Sequence, residues 1–183
     1  MVADVAIRGQ ARFALARTLV VTGERAQESA TRAKYEVFER HRADLRNGQT
    51  PRLVEHWRPI HDWPVEKVWA LIEKHRVSPH PAYRLGWGRV SCAGCIFGSP
   101  AQWASLRQVN PEQFRQIAKH EASFDKTIDR KRTVLEMADA GDPFEGMKAS
   151  DIRAALSATF DEPVFLKHWS LPAGAHGDAC GPT

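Results

Sequence analysis

Two cysteines, Cys92 and Cys95, stand two residues apart within Gly86-Trp87-Gly88-Arg89-Val90-Ser91-Cys92-Ala93-Gly94-Cys95-Ile96-Phe97-Gly98. That spacing lets two thiolates close on one metal ion, one iron–sulfur cluster or one disulfide. The positive charge of Arg89 favours thiolate over thiol. The chain has three cysteines in all, and the third, Cys180, lies in Gly177-Asp178-Ala179-Cys180-Gly181. Four thiolates are therefore beyond one copy of this chain, and the same spacing also fits a pair of reduced cysteines in a turn. Spacing alone leaves ligand, redox pair and free thiols open.

A second set of residues has the types needed to hold an anion. Arg17-Thr18-Leu19-Val20-Val21-Thr22-Gly23 reads as a β-branched strand ending in a glycine, and helix formers follow from Glu24 to Lys34. Strand, glycine turn and helix start are the parts of a phosphate site in an α/β fold, where free backbone N–H groups face the ligand. Arg25 and Arg32 stand seven residues apart, two turns of a helix, so one helical face carries both guanidinium groups. Glu28 and Arg32 also have the spacing of an ordinary surface ion pair. Arg58, before Pro59 at the end of a second strand, sits where such folds place ligand contacts. His61 and Asp62 are an acid–base pair by type, and Asp62 is also suited to capping the helix that follows.

The elements that must position these residues follow from periodicity and punctuation. A short amphipathic helix is expected at 10–16, a strand at 18–22 and a helix at 24–42. A second strand covers 52–57, and a helix over 63–75 carries Val65, Val68, Trp69 and Ile72 as its apolar stripe. From Ser78 to Ser99 glycines and prolines mark a long loop, whose Tyr83, Trp87, Ile96 and Phe97 point to an ordered, functional one. Helices are expected at 100–107, 111–122, 125–140 and 151–159, the first two opened by Pro100 and Pro111. The tail from Asp161 is rich in proline and glycine and reads as extended.

In chain order the motifs are Gly23-Glu24-Arg25 with Glu28-Ser29 and Arg32, then Trp57-Arg58-Pro59-Ile60-His61-Asp62-Trp63, then His80-Pro81-Ala82-Tyr83, then the cysteine loop. This series resembles the phosphoadenosine phosphosulfate (PAPS) reductase family of the adenine nucleotide alpha-hydrolase-like superfamily, from about Arg17 to about Thr127. The resemblance implies an α/β fold with a parallel sheet that binds an adenine nucleotide and does sulfur chemistry or adenylation. It places Gly23, Arg25, Glu28, Ser29, Arg32, Arg58, Asp62 and Arg89 at the nucleotide or substrate. It assigns an iron–sulfur cluster, or alternatively zinc, to Cys92 and Cys95, with His80 as a further ligand. Family members also carry a nucleophilic cysteine in a Glu-Cys-Gly motif on the C-terminal tail. Ala179-Cys180-Gly181 is similar but lacks the glutamate, and Cys180 is the candidate nucleophile.

One motif of the family is absent. Its members open with a strand and a Ser-Gly-Gly-x-Asp-Ser loop that cradles phosphates, and the only early glycine here is Gly9. The expected architecture is a partial parallel-sheet nucleotide-binding domain over 1–140, followed by a helical region and tail over 141–183. Activity in sulfur metabolism is expected to need a partner chain that supplies the phosphate loop, or a homodimer. A non-catalytic, zinc-stabilised binding module and an inactive remnant are the alternatives.

Composition bounds the rest. With 183 residues, 43% of them hydrophobic, the chain can bury one moderate core. No apolar run is long enough to cross a bilayer, Asp4 and Arg8 interrupt any signal-like N-terminus, and an odd cysteine count makes no disulfide framework. The expected compartment is the cytoplasm. A net charge of +4 is compatible with nucleotides or nucleic acid without singling out either. The densest basic run, Lys126 to Arg132, contains Asp129 and reads as a solvated helix face.

Overall fold

In the computed structural model, which describes residues 2–177, the chain is α/β and divides into two compact units, Met1–Lys67 and Val68–Thr183. The first unit holds helix α1 (Val2–Gly9) and strands β1 (Arg17–Val21), β2 (Phe38–Arg40) and β3 (Leu53–Trp57). The sheet runs in the order β1-β3-β2. β1 pairs parallel to β3 with Val21 opposite Trp57, and β2 pairs antiparallel to β3 with Phe38 opposite the same Trp57.

The sheet is therefore mixed, which corrects the expectation of an all-parallel one. The cause lies in 24–42, where the expected helix does not form. Residues Ala26–Glu28 and Arg32–Lys34 make two 3-10 turns, and the chain then returns as β2. The hydroxyl of Ser29 accepts from the N–H of Arg32 at 3.2 Å, a local bond that competes with helix. Beyond it Tyr35, Val37 and Phe38 are residues that favour strand. The core of this unit is Ile7 of α1 against Ala43 and Val54, with Phe13 and Val20 packed around them. The expected helix at 10–16 shortens to a 3-10 turn at Ala11–Phe13, and the sequence reading missed α1.

The boundary between the units falls inside α2 (Val65–Lys74). The second unit continues with α3 (Pro81–Arg84), α4 (Pro100–Val109), α5 (Pro111–Phe124), α6 (Val134–Asp139) and α7 (Ala149–Leu156). Ser99 and Gln102 form a reciprocal capping box at the start of α4, and Thr133 and Glu136 do the same for α6. Trp103, Leu106, Phe114, Val134, Met137 and Ala138 form one core, and Leu85, Trp87 and Val109 centre another that draws in Phe144 and Ile152.

The expected helix over 125–140 is reduced to α6. Asp125, at φ 49°, ends α5 in the left-handed region. Glu121 then accepts from the N–H groups of Ile128 and Val134 at 2.7 and 2.8 Å, fixing 125–133 as a loop. The basic run Lys126–Arg132 lies in that loop rather than on a helix. The tail is tied down as far as it is described: Val77 bridges Phe165, Ala173–His176 make a 3-10 turn, and a Cβ at Gly174 would stand 2.2 Å from the Trp87 carbonyl oxygen.

Candidate functional site

The parallel pairing of β1 and β3 brings their carboxyl ends to one edge. The N–H of Thr22 donates to the Trp57 carbonyl at 3.1 Å, and Thr22-Gly23-Glu24-Arg25 leaves the sheet beside Arg58-Pro59-Ile60-His61. The N–H of Ala26 donates to the His61 carbonyl at 2.8 Å and joins the two segments. Most of the expected anion-binding residues stand at this edge.

Arg58 is buried at 4% exposure, and its guanidinium is heavily used. Nε donates to Glu24 Oε2 at 2.7 Å, Nη1 to the Glu36 carbonyl at 2.7 Å, and Nη2 both to Glu39 at 2.7 Å and to His56 Nδ1 at 3.0 Å. The Tyr35 ring lies over the guanidinium, 4.7 Å from its centroid. Because Arg58 only donates, His56 Nδ1 must accept, so His56 is the neutral imidazole with its proton on Nε2. That proton goes to Thr22 Oγ1 at 2.8 Å, and the Thr22 hydroxyl donates to Glu24 Oε2 at 3.1 Å. Arg58, His56, Thr22 and Glu24 thus form a closed ring of directed hydrogen bonds. Burial, followed by the charge of Arg58, holds the pKa of His56 below its ordinary value. The structure therefore gives Arg58, an expected phosphate ligand, a structural bonding pattern.

His61 has the opposite setting. Its Nε2 faces the Arg32 carbonyl at 2.9 Å and its Nδ1 faces Asp62 Oδ1 at 2.9 Å. Both partners accept, so both ring nitrogens are satisfied only when both carry protons, and the pKa is raised by the Arg32 carbonyl and then by Asp62. Asp62 turns to His61 rather than to the helix it was expected to cap. The N–H of Val65 is taken instead by Gln27 Oε1 at 2.9 Å.

Arg25, Glu28, Ser29 and Arg32 meet through the 3-10 turns. Arg25 Nη1 donates to Gln27 Oε1 at 2.8 Å and to the Trp63 carbonyl at 3.1 Å, while its Nε stands 3.6 Å from Glu28 Oε1. Arg32 Nη1 pairs with Glu28 Oε2. One carboxylate thus lies between both arginines. Gly23 needs no special conformation, and an added Cβ would meet only Ile60 Cδ1 at an ordinary 3.6 Å.

The cysteine loop belongs to the second unit. His80, Arg89 and Cys92 line a cavity of about 230 Å³, otherwise walled largely by apolar side chains such as Leu85, Trp87, Leu106 and Val109. Cys92 is exposed and Cys95 half-buried. The Cys95 carbonyl accepts from the N–H of Gly98 at 2.8 Å, closing a turn in which a Cβ at position 98 would stand 2.9 Å from that oxygen. His80 Nδ1 accepts from the N–H of Ala82 at 3.2 Å and caps α3. Among the described residues no three or more His, Cys, Asp or Glu side chains are grouped to hold a metal ion, so His80 does not complete a ligand set with Cys92 and Cys95. Cys180 lies outside the described residues.

The residues that sequence reasoning missed are the partners: Thr22, Glu24, Tyr35, Glu39 and His56. A signal for one existed, because His56 and Arg58 alternate along one strand and so share a side.

Residues 9–97 match the family model of the phosphoadenosine phosphosulfate reductase domain. The chain is also 37% identical over 99 residues to an uncharacterized 37.8 kDa protein in the gpa 5′ region of Escherichia phage 186. The matched stretch is 54% of this chain and 28% of the phage protein, so the chain spans little more than a quarter of that relative's length. No solved structure matches.

Proposed function

We propose that the chain, whose residues 9–97 match the phosphoadenosine phosphosulfate reductase domain, is a reductase-like protein of sulfur metabolism that binds an adenine nucleotide or an adenylated sulfur donor. The observation that carries this reading is the extent of the family match, which includes both the arginine-bearing edge of β1 and β3 and the Cys92–Cys95 loop. The edge is the part of a partial nucleotide-binding domain that α/β folds use for ligands. In this reading Arg25 and Arg32 hold the phosphate or sulfate group, Ser29 and the backbone after Gly23 line its approach, and Arg58 shapes the edge from within. Glu28 and Asp62 stand at the ligand's border.

Cys92 and Cys95 act as a redox pair beside the cavity that Arg89 and His80 also line. A cluster or zinc on these two thiolates would take its remaining ligands from outside the described residues, such as Cys180 or a second copy of the loop. A phosphate loop supplied by a partner chain would complete the nucleotide site for sulfur-donor turnover, in the cytoplasm.

Calorimetry tests the binding step. ATP, adenosine 5′-phosphosulfate and PAPS are titrated into the protein at low and moderate salt. Saturable heat that weakens with salt and disappears in Arg25→Ala/Arg32→Ala is expected, because the contact is largely ionic. Absence of heat with all of these ligands, partner chain included, overturns the proposal.

A further inference from the structure

The Glu28 carboxylate stands between Arg25 and Arg32 much as one ligand group held by both would stand. We propose that Glu28 is an internal counter-anion: it holds the two arginines while the edge is empty and is displaced by the phosphate or sulfate group of the ligand. This rests on the nucleotide-binding reading above and adds to it a regulator of affinity.

Three features separate Glu28 from the other carboxylates at this edge. Arg58 is buried and held by two carboxylates, a carbonyl and an imidazole, so its partners are part of the fold. Arg25, by contrast, is held in place by neutral acceptors, Gln27 Oε1 and the Trp63 carbonyl. Its approach to Glu28 at 3.6 Å is a charge contact rather than a hydrogen bond. The Glu28 side chain is 29% exposed, so its carboxylate is reached by solvent.

The second feature is that the backbone does not depend on that carboxylate. The Ser29 hydroxyl accepts from the Arg32 N–H, and His61 Nε2 bonds the Arg32 carbonyl, so the Arg32 backbone is held without Glu28.

Charge supplies the third. Arg25 and Arg32 outnumber Glu28 by one positive charge, and removing Glu28 from the contact raises that excess to two. A tetrahedral dianion matches the vacated charge better than a carboxylate and offers more acceptor oxygens. Exchange of Glu28 for such a group is therefore favoured by electrostatics, and it carries a cost that Glu28 sets.

The test is ATP affinity, measured by calorimetry on the full chain over a range of salt. Glu28→Gln keeps the shape and removes the charge, and it is expected to tighten ATP binding roughly threefold to tenfold, the reach of one or two exposed ion pairs. Its binding should also fall more steeply with salt than that of wild type. Glu28→Ala, which removes the amide contact too, should show the same gain. Glu66→Gln, an exposed charge removed in α2, should leave affinity unchanged.

If wild type binds, Arg25→Ala/Arg32→Ala abolishes binding, and both Glu28 variants bind no more tightly, the counter-anion role is refuted and the nucleotide reading stands. An equal gain in Glu66→Gln refutes it as well, by reducing the effect to net charge. Binding by neither wild type nor the Glu28 variants overturns both.

Discussion

Arg58→Met should cost the first unit about 3 kcal/mol, an amount that follows from what the guanidinium touches. At 4% exposure it donates to Glu24, Glu39, the Glu36 carbonyl and His56. A hydrogen bond to a charged group in isolation is worth about 1.5–3 kcal/mol, which would suggest a much larger loss. The Glu24 and Glu39 side chains are 32% and 40% exposed, however, and regain water once released, so each contributes toward the lower end of an exposed pair, under about 1 kcal/mol. The Glu36 carbonyl and His56 Nδ1 lose a donor in a site with little access to water, at roughly 1 kcal/mol each. Against a typical domain stability of about 5–15 kcal/mol the loss is severe. Urea unfolding, combined with hydrogen exchange of the Val54 and His56 amides, measures it. The same variant should let the pKa of His56 rise toward its ordinary value, because the Arg58 charge is one of the causes that depress it. Arg58→Met within about 0.5 kcal/mol of wild type, with His56 titrating as before, would refute the ring of bonds and the reasoning built on it.

The two histidines at this edge should give opposite pH dependences. The raised pKa of His61 means its contribution is full below about pH 6.5 and fades as pH rises through the higher folded value; the depressed pKa of His56 means its contribution is full above about pH 6.5 and fades as pH falls through the lower one. NMR titration of both rings checks the signs, and His61→Gln should remove the alkaline fade alone. Gly23→Ala should leave the unfolding midpoint unchanged, since the new Cβ meets only Ile60 at 3.6 Å, while weakening ATP binding measured by calorimetry if a ligand approaches that backbone closely. Mild oxidation should close a Cys92–Cys95 disulfide, seen by mass spectrometry as loss of two hydrogens, and alkylation should strike the exposed Cys92 before Cys95; either serine variant should block the closure.

Much of the fold was legible where local rules decide it. Pro100 and Pro111 opened helices as read, and the β-branched run Arg17–Val21 formed the strand the sequence suggested. Reading failed where tertiary contacts override composition. Residues 24–42 are rich in helix formers, yet the Ser29 hydroxyl bond breaks the run and pairing with β3 draws Phe38–Arg40 into the sheet. Asp125 and Glu121 stop a helix that periodicity carried on to 140, because a buried carboxylate accepting two backbone N–H groups has no local sequence mark. At the site, Arg25 and Arg32 were expected on one helical face and meet instead through two 3-10 turns, and the carboxylate partners of Arg58 were not legible. Glu24 and Glu39 reach Arg58 across 34 and 19 residues of chain, a pairing fixed only when β1, β2 and β3 align.

The central claim, that the carboxyl edge of β1 and β3 receives an adenine nucleotide, is tested most directly by mapping amide chemical shifts of the isotopically labelled protein during a titration with ATP. Saturable shifts are predicted at Gly23, Arg25, Ser29 and Arg32, with smaller ones at Arg58 and His61, and their loss in Arg25→Ala/Arg32→Ala. Shifts concentrated instead on the basic loop Lys126–Arg132, or no saturable shifts at any ATP concentration tested, would contradict it.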